Sequence, residues 1–388
     1  MGVVSASTAA APNSSGVQPT RTRAATQPVV GVIGLGFVAV VVAVFAVGVG
    51  PMRSLQSLGP VMVYALPVIA VVGVWWEGRP FRGLGRPLGG ALDTVLAVAS
   101  GLGLLIIGQA IVGRSDISHL LDVLPPPAPP ETPPPAGTPA FTSYPWTFVL
   151  GGAVFVAMLQ LTFVNGRWPL RRLSAVPSGF AALLLAWVVG LGTYLLLADW
   201  DAIVPPAAQT ALGLGNPGGP ANALELLDVL TWIAAWQMIV FVALGGQPVA
   251  RIQNEALRLV VANVAVVALG WLSFVFAKSV LDWTIPTIAG VGGSVIAAAL
   301  IAGLVFEGWP ARTLGAGGAA AGTVLTIAVL AAALFLLLRV LGNATGDWNP
   351  RDPVELWITL TTFNFVSAPV VLWATVFGRW PAPSPAPN

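Results

Sequence analysis

Ten apolar stretches, almost free of charge, dominate this 388-residue chain. They lie at about 28–49, 60–76, 88–113, 146–164, 178–198, 226–244, 256–278, 286–306, 318–341 and 354–377. Each is about 17 to 26 residues long, and about 20 residues at 1.5 Å rise cross the hydrocarbon core of a bilayer. The stretches are continuous and not alternating, which excludes the roughly ten-residue dyad strands of a membrane barrel. Only 8% of residues are charged, against about 25% in a soluble domain. The chain is therefore read as an all-α integral membrane protein with about ten transmembrane helices.

Basic residues predict the orientation. With the amino terminus inside, the inner segments hold Arg21, Arg23, Arg79, Arg82, Arg86, Arg167, Arg171, Arg172, Arg251, Arg258, Arg312 and Arg379. The outer side receives Arg53, Arg114, Lys278, Arg339 and Arg351. The excess on one side puts both termini in the cytoplasm by the positive-inside rule. The domain plan is then a disordered cytoplasmic tail (1–27), one transmembrane domain (28–377) and a short cytoplasmic tail (378–388). External loops are expected at 114–145 and 199–225. Arginine outnumbers lysine 16 to one, a bias that points to the inner membrane of a bacterium with a GC-rich genome.

A short motif recurs where alternate helices reach the inner side. Its copies are Trp76-Glu77-Gly78-Arg79-Pro80, Asn165-Gly166-Arg167-Trp168-Pro169, Gly245-Gly246-Gln247-Pro248, Phe306-Glu307-Gly308-Trp309-Pro310 and Phe377-Gly378-Arg379-Trp380-Pro381. Glycine ends a helix in a left-handed conformation, and proline cannot continue that helix but can start the next. Tryptophan suits the headgroup level. At the outer ends Asp199-Trp200, Asp282-Trp283 and Asp347-Trp348 form a weaker second motif. The pattern predicts parallel two-helix repeats: four full units, an unpaired first helix and an unpaired last one. Gly16-Val17-Gln18-Pro19 resembles the inner motif, so helices 1 and 10 are expected to pack together and close the bundle as a split fifth unit.

Residues able to carry chemistry are few. The chain has no cysteine and one histidine, His119, so soft-metal, haem and thiolate chemistry lack ligands, and no cofactor is expected. A hard-cation role for Asp199 and Asp201 is weaker than plain surface charge. Asp93 is the most evident ionisable group inside a span and a candidate proton or cation site, although pairing with Arg82 or Arg86 is favoured. Gln160, Gln237 and Asn263 are amides inside spans, where helix joining is their usual role. Thr361, Thr362, Asn364 and Ser367 precede Pro369 in the last helix. A proline frees a backbone carbonyl one turn earlier, and freed carbonyls with hydroxyls can line a polar cavity. The candidate intramembrane polar site is thus Asp93, Gln160, Gln237, Asn263, Thr361, Asn364, Ser367 and Pro369.

Residues 125–139 contain nine prolines and should stand as a polyproline II spacer or an arm for a protein partner. Gly213-Leu214-Gly215-Asn216-Pro217-Gly218 matches GxGxxG, but no strand precedes it, so it fails as a dinucleotide site. No basic–aromatic stretch suggests nucleic acid. Ten spans, repeats and a proline-interrupted polar helix favour a permease-like transporter of a neutral or weakly charged solute. The alternative is a non-catalytic subunit or scaffold of a larger membrane complex. An enzyme acting on lipids through Asp116, His119 and Asp122 is the weakest reading.

Overall fold

The computed structural model describes residues 27–78, 80–123 and 142–382. Among them are nine helices long and apolar enough to cross a membrane, and a tenth, shorter apolar helix. We number them α1 (Val29–Gly48), α2 (Pro51–Trp75), α3 (Arg86–Val112), α4 (Phe148–Val164), α5 (Ala175–Leu197), α6 (Ala223–Ala243), α7 (Glu255–Ser279), α8 (Ile285–Val305), α9 (Gly315–Thr345) and α10 (Val354–Thr375). The shorter one is α4. One boundary differs from expectation: α2 begins at Pro51, well before the apolar stretch at 60. Gly50, at φ 99°, turns the chain, and Pro51 takes the first helical position, where its missing N–H costs nothing. Arg53 therefore sits on a helix and not in a loop.

The helices fall into two layers. Even-numbered helices are buried: 89% of the most apolar window of α10 is inside, against 17% for α9. In the chain order of the even helices, each packs on the next, and α10 also packs on α2. The odd helices lie outside them, α3 on α2, α5 on α4, α7 on α6 and α9 on α8. α1 packs on α10. Sequence explains the outer layer. α5 and α7 each bury a narrow stripe at every fourth position, Ala182, Ala186, Gly190 and Tyr194 on α5, and Ala262, Val266, Gly270 and Phe274 on α7. Small residues in that stripe allow backbones to approach. A Cβ added to Gly101 would meet Ala65 Cα at 2.8 Å, and one on Gly190 would meet Val154 Cα at 2.6 Å.

At their first turns, several outer helices also reach a second inner helix. Trp76 Nε1 at the end of α2 donates to Val176 O of α5 (3.1 Å). Arg86 of α3 donates to Ala382 O beyond α10 (3.0 Å). Gln27 Nε2, just before α1, donates to Val305 O at the end of α8 (3.1 Å).

The five glycine–proline turns share one geometry. The last turn of each inner helix closes with an i→i−5 bond followed by an i→i−6 bond. Examples are Trp76 N–Val71 O and Gly78 N–Val72 O (both 2.8 Å), or Phe377 N–Leu372 O (2.9 Å) and Arg379 N–Trp373 O (2.7 Å). Two successive residues then take positive φ: Glu77 and Gly78, Gly166 and Arg167, Gly245 and Gly246, Glu307 and Gly308, Gly378 and Arg379. One glycine of each pair relieves the Cβ clash of the left-handed region. Outside Gly245–Gly246, where both are glycine, its place varies, and the charged residues at the other position meet across turns. Arg167 faces Glu77 (3.9 Å), and Arg379 pairs with Glu307.

The opposite, loop face is less regular. Asp199 lies in a two-residue strand, Ala198–Asp199, that pairs in parallel with Ala221–Asn222, whereas Asp282 is left-handed at φ 52°. The outer Asp–Trp pairs thus share sequence but not local structure. A short helix, Pro206–Leu212, interrupts the loop after α5. The polyproline run and the Gly16–Pro19 motif lie outside the described residues.

Candidate functional site

The inner helices do not meet at the loop face. A cavity of about 540 Å³ opens there between α2, α4, α6, α8 and α10. It reaches mid-span, to Leu66, Val156, Ala234 and Phe363. Beyond that depth Met158, Met238, Ile301 and Val370 are buried and the interior is filled. The cavity walls are mainly aliphatic and aromatic, with Phe155 and Phe363 edge to face at 6.2 Å.

Asp228 is the exception in this wall. It belongs to α6, is 1% exposed, and its Oδ2 has no hydrogen-bond partner. Local sequence fixes its place. Asn222 caps α6 by accepting from Leu224 N (3.0 Å) and Glu225 N (3.3 Å). Glu225, on the next turn towards the loops, binds Lys278 Nζ of α7 (2.6 Å). Asp228 has no such basic neighbour. Thr231, one turn deeper, donates to Leu227 O (2.9 Å).

Polar and aromatic residues frame the mouth. Trp146 and Trp200 lie edge to face at 5.4 Å, and Trp200 Nε1 donates to the Tyr194 hydroxyl (3.3 Å). Arg351 lines the mouth and is committed to fully buried Asp352 (2.8 Å). Burial, with Asp352 nearby, pushes the Tyr144 hydroxyl well above the usual phenol range. Behind the mouth the loop is pinned by amides: Asn216 Nδ2 donates to Asp199 Oδ1 and Asp201 Oδ1 (both 2.8 Å), and Gln209 Nε2 to Asp201 Oδ1 (2.9 Å). The Asn216 amide, then backbone N–H donors, hold the Asp199 carboxyl below its ordinary range. These two carboxylates are occupied as loop fasteners.

None of the eight residues expected from sequence lines this cavity, and they do not gather in one place. Asp93 is 1% exposed with Oδ1 unpartnered. It lies in a second pocket of about 510 Å³ at the turn face, with Glu77, Arg82, Arg86 and a glycine-rich wall. Neither Arg82 nor Arg86 forms the ion pair expected for it; Arg86 instead reaches the carbonyls of Phe377 (3.5 Å) and Ala382.

The amides form a chain between helices. Gln237 donates to Gln160, Gln160 Nε2 to Asn263 Oδ1 (2.6 Å), and Asn263 Nδ2 to Asn165 Oδ1 (2.7 Å). This chain ties α6, α4, α7 and a glycine–proline turn together. In α10, Thr361–Ser367 is widened into a π-type segment. There Thr362 donates to Ile358 O (2.9 Å), Ser367 to Thr362 O (2.7 Å), and Asn364 Nδ2 to Gly59 O of α2 (3.3 Å). The Thr362 and Ser367 hydroxyls are thus spent on carbonyls of their own helix, although Thr361 Oγ1 and Asn364 Oδ1 stay unpartnered.

His119 Nδ1 meets Asp122 Oδ2 at 2.6 Å in a short 3-10 turn at the loop face. Among the described residues no group of three His, Asp or Glu could hold a metal. Lys278 and Arg339 pair with Glu225 and with Glu355 (3.5 Å).

Asp228 is the functional candidate that the sequence reading passed over. A signal was present: an acid inside an apolar span with no basic residue three or four positions away on the same helix. No protein-family model, curated protein or solved structure matches this chain. Helix composition makes it a multi-pass membrane protein.

Proposed function

We propose that this protein is a permease-like transporter of a neutral or weakly charged solute with a bulky apolar body. The observation that carries this reading is the half-span cavity between the inner helices, open to one face and filled at the other. A lone scaffold has no use for an apolar cavity that reaches mid-membrane, whereas a carrier opened to one side needs one. The arginine count puts the turn face in the cytoplasm, so the cavity would open outwards.

The shared turn geometry and the α1–α10 contact support five two-helix units, the fifth split between the two ends of the chain. In such a bundle the cavity lies on the symmetry axis, where each unit contributes one wall. The test is flux of uncharged and singly charged aromatic amides and amines across proteoliposomes. We expect saturable uptake of at least one of them. Ala289→Phe, which puts a phenyl group into the cavity from α8, should abolish it. Flux no faster than in protein-free vesicles, or unchanged in the variant, would refute the assignment.

A further inference from the structure

We infer that the solute is a monovalent organic cation, with the Asp228 carboxylate as its counter-charge; this rests on reading the cavity as a solute site. Two charged residues line the cavity among the described residues, Asp228 and Arg351. Arg351 is neutralised by Asp352, and the nearby Glu225 by Lys278. The one ionisable group left without a partner is therefore an acid, and it sits partway down an apolar wall.

A carboxyl without a partner in such a place is held neutral by a proton, and it carries charge only when a ligand supplies the opposite one. A metal ion is a poor candidate, since hard cations take about six to eight oxygen ligands and the wall around Asp228 is largely aliphatic. An anion would be repelled. A neutral solute would leave the carboxylate as it is. An organic cation satisfies it while its apolar body fills the remaining volume. The aromatic rings in the same cavity, Tyr144, Trp146, Phe148, Phe155, Trp200 and Phe363, add faces that attract a desolvated cation.

The experiment compares two probes with the same triphenylphosphorus body, methyltriphenylphosphonium and uncharged triphenylphosphine oxide. Binding to the full chain in zwitterionic nanodiscs is read from tryptophan quenching, with empty nanodiscs subtracted. The wild type should bind the cation about tenfold or more tighter than the oxide, the order expected for one close charge pair. Asp228→Asn should lose that preference and keep its affinity for the oxide, which also shows that the variant is folded. Asp228→Glu should retain the preference. Equal binding of both probes by the wild type, or a preference that survives Asp228→Asn, overturns the inference and leaves the cavity assignment standing. If neither probe binds, the cavity assignment falls and this inference falls with it.

Discussion

Asp228 and Gly190 show how differently single residues act in this protein. A buried carboxyl with no partner works against folding, because its loss of hydration is not compensated. Asp228→Leu should accordingly raise the thermal midpoint of the protein in nanodiscs. A lowered midpoint would mean that the carboxyl has a stabilising partner. Gly190 is the reverse case. A Cβ there would lie 2.6 Å from the backbone of Val154, so Gly190→Leu forces α5 away from α4. Overpacking of this kind costs about 1–3 kcal/mol. The prediction is a midpoint drop for Gly190→Leu and little change for Gly192→Leu, whose Cβ meets open space.

At the level of elements, much was legible because the signals are physical necessities. A span must be apolar along its length, so the helix positions follow directly from hydropathy. A turn with two left-handed residues needs a glycine, so the inner turns announce themselves. What the sequence hid is the division into inner and outer helices. In lipid both layers are apolar, and hydropathy does not separate a buried face from a lipid-facing one. The separating sign is size: one small residue per turn on α5 or α7 marks a helix held by a single stripe. The candidate site was hidden for a related reason. Gln160, Asn263 and Ser367 look functional as isolated polar residues, but once folded they satisfy each other or the nearby backbone. Asp228 looks like an ordinary acid near a helix end, and only the tertiary arrangement leaves it alone.

For the whole molecule, the position of α1 decides whether the bundle is closed. The four hairpins running from α2 to α9 each supply an inner and an outer helix. Among the described residues no helix follows α10 to cover its outward face. α1 lies there: Phe37 meets Phe377 at 5.4 Å, Phe45 stacks on Phe365 at 6.5 Å, and Trp357 Nε1 donates to Ala46 O at 3.3 Å. It also starts beside the end of α8, as α5 starts beside the end of α2. In the five-unit arrangement proposed above, the first helix would take the place of the outgoing partner of the last one. This arrangement can be tested cleanly because the chain has no cysteine. With Phe37→Cys and Phe377→Cys together, a short bismaleimide should join the two ends within one chain, identified by mass spectrometry of the digest. Phe37→Cys with Val264→Cys, on the lipid-facing side of α7, should give no such product. The opposite result would place α1 elsewhere and leave the bundle open at α10.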